Sequence, residues 1–293
     1  MSDTLVRGAL PEWGIRFAIC HSAELCTEAA QRHRADFVSG WLLGEALTCA
    51  TLLSVNLKAA ERYTLRWMYP GPVGTITVDV DERAHVRGYT QRVSLMPEVT
   101  TLAEAIGGQG QLSTVTSLPD KVVQTGITEA VFKDVPQDLA YFMSLSYQTE
   151  TALTAGLIAP PDMPMHFQSA VGVLLQPFPD TDLERFDEVR RAVESPRFRA
   201  WLEARPRSSE EILAELPVDD VPEVYAETAP DYVCRCSRDK VAAVLRMLGP
   251  DELEEMLAEQ GRAEVACHFC AEAYEFSRSD LEMFLRDTKV GRA

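Results

Sequence analysis

Four of the seven cysteines fall in the last 60 residues, as Cys234-Arg235-Cys236 and, after 30 intervening residues, Cys267-His268-Phe269-Cys270. Two close pairs brought together can supply four thiolates to one tetrahedral zinc, with Zn–S near roughly 2.3 Å. Four thiolates on a divalent ion leave a local charge of about minus two, and Arg235, Arg238 and Arg262 are near enough in sequence to offset part of it. The odd total, completed by Cys20, Cys26 and Cys49, fits poorly with a secreted disulfide framework. In a reducing compartment the clustering therefore reads as metal ligation or redox chemistry. Spacing alone leaves open a purely structural zinc knot.

Other residue groups carry less. Cys20-His21 and Cys26 match no ligand spacing and, with Cys49, read as packing residues. Gly107-Gly108-Gln109-Gly110 lacks the Lys-Ser/Thr of a phosphate cradle and opens onto strand-like residues, so it reads as a turn. His85 and His166 lie in strand-like stretches with no nucleophile at readable spacing. His268 sits inside the C-x-x-C loop, where four thiolates already close a tetrahedral site. There is no nucleophile elbow, Walker loop or zincin helix, so the chain is not expected to be an enzyme.

The elements that must position the cysteines come in three segments. Residues 1–177 mix helix and strand. The spacing predicts one buried helix over Asp36 to Leu57, a hairpin from Tyr63–Tyr69 and Thr75–Val80 around Pro70-Gly71-Pro72, and a third strand at His85–Thr90. Strands are further expected around Thr114–Thr116, over Val122–Phe132 and over Phe167–Gln176. Asp134 should cap a helix from Pro136 to Gln148. This order predicts an α+β fold with an antiparallel-sheet core domain and helices.

In residues 178–230, 21 of 53 residues are charged, yet apolar residues recur at helical spacing. Leu183, Phe186, Val189 and Val193 form one stripe, Phe198, Trp201 and Leu202 a second, and Ile212, Leu213 and Leu216 a third behind a Ser208-x-x-Glu211 capping box. Pro196, Pro206, Pro217 and Pro222 separate them. Helices this short are marginal alone, so a helical linker is expected that is ordered only while its stripes dock on a neighbour. In residues 231–293, Ser237 should cap a helix ending at Gly249-Pro250, and Asp251-x-x-Glu254 should open a second one closed by Gly261. So few apolar positions make a poor independent core, and a small C-terminal zinc-binding domain supplies the missing staple.

The formal charge of −17 argues against nucleic-acid or anionic-membrane partners. Apolar runs such as Trp41 to Ala50 are interrupted by Gly44 and Glu45 and fall short of a bilayer span of roughly 20 residues. Met1-Ser2-Asp3-Thr4-Leu5 lacks the basic-then-apolar order of a secretory signal, so the expected location is the cytoplasm.

The order C-x-C, long spacer, C-x-x-C closely resembles the 33 kDa chaperonin family of redox-regulated heat-shock chaperones. So do Gly44-Glu45-Ala46-Leu47-Thr48, Gly71-Pro72-Val73-Gly74, Val86-Arg87-Gly88-Tyr89, Gly110 to Thr116, Asp138-Leu139-Ala140-Tyr141-Phe142 and Tyr274-x-Phe276, which extends the resemblance over nearly the whole chain. The resemblance implies an ATP-independent holdase. Its four cysteines, here Cys234, Cys236, Cys267 and Cys270, would bind one zinc per chain when reduced and form the disulfides Cys234–Cys236 and Cys267–Cys270 under oxidative stress. Zinc release would unfold the small domain, free the linker and expose surface for unfolding clients, with homodimerisation. The stripe residues Leu183, Phe186, Val189, Phe198, Trp201 and Leu202 are the expected client-binding or switch surface. Structural zinc supplies on the order of 10 to 16 kcal/mol of apparent binding energy that is also folding energy, more than a small domain's stability, so its loss is compatible with unfolding.

Two other functions compete. A zinc ribbon acting as a constitutive interaction module would need a basic face to hold nucleic acid, whereas residues 231–293 carry 13 acids against 9 Lys and Arg. A thiol-disulfide oxidoreductase would place Cys267 and Cys270 at the opening of a helix in a βαβ context, which this pattern lacks.

Overall fold

The computed structural model describes residues 2–160, 163 and 165–290; residues 1 and 291–293, the outer ends of the first and third segments, lie outside that description. By its internal contacts the chain falls into two units, Met1–Val233 and Cys234–Ala293. The fold is α+β with antiparallel sheets.

The first unit opens with the pair β1 (Thr4–Leu10) and β2 (Ile15–His21), then α1 (Ala23–His33) and α2 (Phe37–Leu53). The meander β3 (Arg62–Met68), β4 (Thr75–Asp81) and β5 (His85–Thr90) leads through the short α3 (Leu102–Ile106) to the long hairpin β6 (Gly110–Leu118) and β7 (Lys121–Ala130). Helix α4 (Val135–Ser146) and the strands β8 (Ala152–Ile158) and β9 (Ser169–Pro177) follow. Asp134 caps α4, accepting from the Gln137 amide at 3.0 Å. Gly107 ends α3 and Gly110 begins β6, so the glycine-rich stretch is a turn.

Helix α2 is the hub. Its sequence is apolar on every side, and all of its residues except Phe37 and Trp41 are buried. With the short turn that extends it, Phe37–Asn56 is long and apolar enough to cross a membrane by length and composition, beyond what the interrupted run Trp41–Ala50 suggests. Here it is almost wholly buried, packed against β4 and β5 of one sheet and β2, β8 and β9 of the other.

Residues after Pro177 form α5 (Leu183–Val193), α6 (Pro196–Glu203), α7 (Ser209–Glu215) and the strands β10 (Glu223–Thr228) and β11 (Asp231–Tyr232). The sheets run β10-β1-β2-β9-β8 and β11-β5-β4-β3-β6-β7. Pairing is antiparallel throughout both sheets except for the two-residue β11 on β5. Strand β10 modifies the helical reading of the linker: after three helices the chain returns as an edge strand on β1.

Strand β9 shows why its sequence is apolar without alternation. Gly172 faces α2 so closely that an added Cβ would lie 2.7 Å from both Leu52 and Thr48. Val171, Val173 and Leu175 face the other way, into a core shared with Phe186, Val189, Val193, Phe198, Leu202, Ile212 and Leu216 of the linker helices. Both faces of this sheet are covered, so its inner strands carry apolar residues at successive positions. Each large side chain so buried contributes about 1.5–3 kcal/mol.

The second unit contains α8 (Arg238–Leu248), α9 (Pro250–Glu259), the hairpin β12 (Ala263–Ala266) and β13 (Ala273–Phe276), and α10 (Arg278–Val290). Ser237 caps α8 through the Lys240 amide. Helix α9 departs from the sequence reading at its start: Gly249 precedes Pro250 at the first helical position, and Asp251 lies in the first turn instead of capping it. The buried core consists of Ala242, Leu245, Leu253, Leu257, Ala263, Phe276, Leu281 and Phe284, small for a unit of this length.

Candidate metal centre

The four C-terminal cysteines converge inside the second unit, with all their sulfurs within 4.8 Å of one another. Among the described residues this is the one group of three or more metal-ligating side chains whose donor atoms come together. Cys234 and Cys236 lie on the stretch leading into α8. Cys267 and Cys270 form the tip of the β12–β13 hairpin, where the Cys267 amide donates to Glu272 O (2.9 Å) and the Ala271 amide to Cys267 O (2.8 Å). Ala271 closes this knuckle with φ 56°, a left-handed conformation a non-glycine residue rarely adopts.

Arg238 ties the two halves of the centre together. Its guanidinium donates to Glu275 O, pairs with Asp280 at 3.0 Å and lies 4.4 Å over the Phe276 ring. From the other side, the Lys240 ammonium donates to Arg235 O. The C-x-C stretch is thus fixed against the hairpin by charge-assisted bonds that involve no cysteine.

The sulfur geometry suits ligation. A tetrahedral set at roughly 2.3 Å from a central ion has sulfurs about 3.8 Å apart; Cys234 and Cys267 are 3.7 Å apart, and Cys236 and Cys270 3.4 Å. Both of these distances run across the two motifs, whereas the disulfide pairing implied by the family resemblance lies within each. Cys270 is buried and the other three are half-buried. Burial, with the Cys236, Cys234 and Cys267 sulfurs crowded around it, pushes the Cys270 thiol well above its ordinary value, and burial raises Cys267 as well. Four thiolates held this close together repel one another unless a cation sits among them, so the donor set fits a divalent metal with soft-ligand preference. His268 is not part of the converging set.

One functional contact escapes sequence reading. Tyr274, noticed only as part of Tyr274-x-Phe276, donates its phenolic hydrogen to Cys236 Sγ at 3.1 Å. It lies on β13, in register with Val265, and its hydroxyl reaches the cysteine centre from there.

The stripe residues of the linker are placed unevenly. Phe186, Val189, Phe198 and Leu202 are buried in the shared core, and Trp201 is half-buried against it, with the Arg207 guanidinium 4.1 Å from its ring. Leu183, the first residue of α5, is 56% exposed and lies outside the shared core that buries the rest of its stripe. The linker is also tied by polar contacts. Arg185 stacks on Trp13 at 3.6 Å, and the Trp13 amide donates to Asp220.

The remaining cysteines are buried among packed groups. Cys26 approaches Gly44 O at 3.5 Å and Thr48 Oγ1 at 3.6 Å, and burial pushes its thiol up to about 12. Cys20 and Cys49 are pushed up by burial too, which removes the thiolate that reactivity needs. His85 faces Asp81 at 3.3 Å, and His166 is exposed.

Comparison with known proteins follows the same outline. A sequence model of the Hsp33 protein family matches residues 3–277. The 33 kDa chaperonin of Geobacillus kaustophilus is 30% identical over 290 residues, covering 96% of this chain and 97% of that one. That of Geobacter sulfurreducens is 33% identical, covering 98% and 96%. The crystal structure of the 33 kDa chaperonin, an Hsp33 homolog, from Thermotoga maritima superimposes with a TM-score of 0.88 at 27% identity, over 99% of this chain and 100% of that one. With the family model matching residues 3–277 and relatives at 30% identity or more over nearly its whole length, the chain belongs to the Hsp33 family of chaperones.

Proposed function

We propose that this protein is a redox-regulated, ATP-independent holdase of the cytoplasm, held inactive while its four C-terminal cysteines are reduced. The observation that carries this reading is the convergence of four sulfurs within 4.8 Å in a unit whose fully buried apolar core, among the described residues, is eight side chains. Such a unit depends on its metal, and the thiolates that hold the metal are themselves oxidisable. Cys234, Cys236, Cys267 and Cys270 would hold one zinc ion, which when bound supplies neutralising charge and a crosslink between the hairpin and the C-x-C stretch.

Oxidation consumes the ligands. For each disulfide, two thiols give up two electrons and two protons to a peroxide, which leaves as water. The pairs formed are Cys234–Cys236 and Cys267–Cys270. With its crosslink gone the second unit unfolds, the linker of residues 178–230 follows, and Phe186, Val189, Phe198, Trp201 and Leu202, with the already exposed Leu183, become available to unfolding proteins. The oxidised form assembles as a homodimer. The placement of Cys267 and Cys270 on a hairpin tip, away from any helix start, favours this reading over a thiol-disulfide oxidoreductase.

Light scattering of a thermally unfolding client without ATP tests it. Reduced, zinc-loaded protein is expected to leave aggregation unchanged and peroxide-treated protein to suppress it. Equal suppression by both would instead indicate a constitutive zinc-ribbon interaction module.

A further inference from the structure

Helix α6 approaches the sheet more closely than an ordinary helix–sheet contact allows. Gly156 of β8 lies directly beneath it: an added Cβ would sit 2.7 Å from Leu202 Cβ, 3.3 Å from Glu203 Cγ and 3.5 Å from Arg199 O. A helix seated on bare strand backbone makes good dispersion contact but has little to fix its position along the strand.

Arg199 provides that fix. Its two terminal nitrogens donate to the two carboxylate oxygens of Asp134 at 2.5 and 3.0 Å, with the side chains only 24% and 19% exposed. Asp134 is also the cap of α4, so the same carboxylate fastens a core helix and a linker helix. Glu45 of α2, 3% exposed and hydrogen-bonded to Trp41 Nε1 at 3.2 Å, and Glu203 of α6 add two more carboxyls to the field around this guanidinium. Without the arginine these acids would be left desolvated and uncompensated.

We propose that Arg199 and Asp134, over the side-chain-free strip at Gly156, form a clasp that holds the linker closed independently of the cysteine centre. They are positioning residues, setting the threshold at which the linker leaves the sheet. The apolar stripe supplies attraction without direction, and the two-pronged ion pair selects the docked register. This inference rests on the reading of the linker as the released element, and its test separates the two.

Full-length, reduced, zinc-loaded protein is compared with Arg199→Ala and with Asp134→Asn, which keeps a capping oxygen on α4 while removing the charge. Zinc content, the thermal transition and the rate of limited proteolysis within residues 183–217 are measured together. Linker cleavage is expected to rise about tenfold in both variants, because proteolysis follows the population of the opened segment, with zinc content unchanged. Arg199→Lys should recover part of the protection, and Gly156→Val should raise cleavage without altering any charge. Wild-type cleavage rates in Arg199→Ala and Asp134→Asn would overturn the clasp. So would cleavage of the β-sheet core accelerating in step with the linker, which would mark a general loss of stability. Client scattering is scored separately: rapid linker cleavage with zinc retained and no holding of client upholds the clasp and counts against the linker as client-facing surface.

Discussion

The phenolic hydroxyl of Tyr274 donates to the sulfur of Cys236 at 3.1 Å. A thiolate that accepts a hydrogen bond carries less charge toward its neighbours, and partners of this kind commonly control metal affinity by 10- to 100-fold, so Tyr274→Phe is expected to weaken zinc binding by about tenfold. Competition against a chromogenic chelator measures it. Unchanged affinity would show that the hydrogen bond has no part in ligation.

Replacing Cys234 and Cys267 together by Ser takes one ligand from each motif. Zinc content is expected to fall from one per chain to none, and the second unit to lose its fold with the metal. Residues 1–177 are expected to stay folded with a thermal transition of their own, because β2, β4, β5, β8 and β9 all pack on the buried α2 within that segment. Metal analysis and calorimetry on one preparation decide it, and full zinc occupancy in the double variant would contradict the assignment.

Glu45 gives the first unit a pH signature. Burial, followed by the nearby Asp134 charge, pushes its carboxyl from 4.5 up to about 8, while Arg199 pulls the other way. The folded protein then binds this proton more tightly than the unfolded chain. Below the unfolded value nothing is lost; stability falls as pH rises from about 4.5 to about 8 and stays lower above. Glu194, raised to about 7 mainly by burial, slopes the same way. Glu45→Gln should flatten the Glu45 part of the decline and leave that of Glu194. Urea unfolding at about pH 5 and about pH 8 measures the difference; an identical decline in wild type and variant would refute the assignment.

Oxidation should expose the linker before the core. Trp201 reports on this step, since it is half-buried against the shared core under the Arg207 guanidinium. Its fluorescence is expected to shift to longer wavelength as zinc is released, with first cleavages between Asp180 and Pro230. Equal protection of linker and core after complete zinc loss would contradict the conditional role of this segment.

What the sequence makes legible follows from how local each signal is. The cysteine set, the Asp134 cap and the apolar run of α2 are readable because each occupies a short stretch. Strands β1 and β2 are not, since Thr4–Leu10 and Ile15–His21 are covered on both faces and lose the alternation that marks a strand. Strand β10 is a charged segment between prolines whose register is set by β1, so nothing within it announces a strand. The Arg199–Asp134 pair joins positions 65 residues apart. Its one sequence trace is Glu45, an acid inside an otherwise apolar helix, which a buried partner has to explain.

The central claim is that loss of zinc and gain of holding are one event. Zinc release, read with a chromogenic chelator, and scattering of an unfolding client are followed in the same sample under peroxide alone, mild heat alone, and both. Thiol oxidation needs access to the half-buried sulfurs, and linker release has its own free-energy cost that unfolding stress lowers. Peroxide with heat is therefore expected to release the zinc and switch on holding together, far beyond peroxide alone. Full holding by reduced protein that keeps its zinc at ordinary temperature would contradict the account.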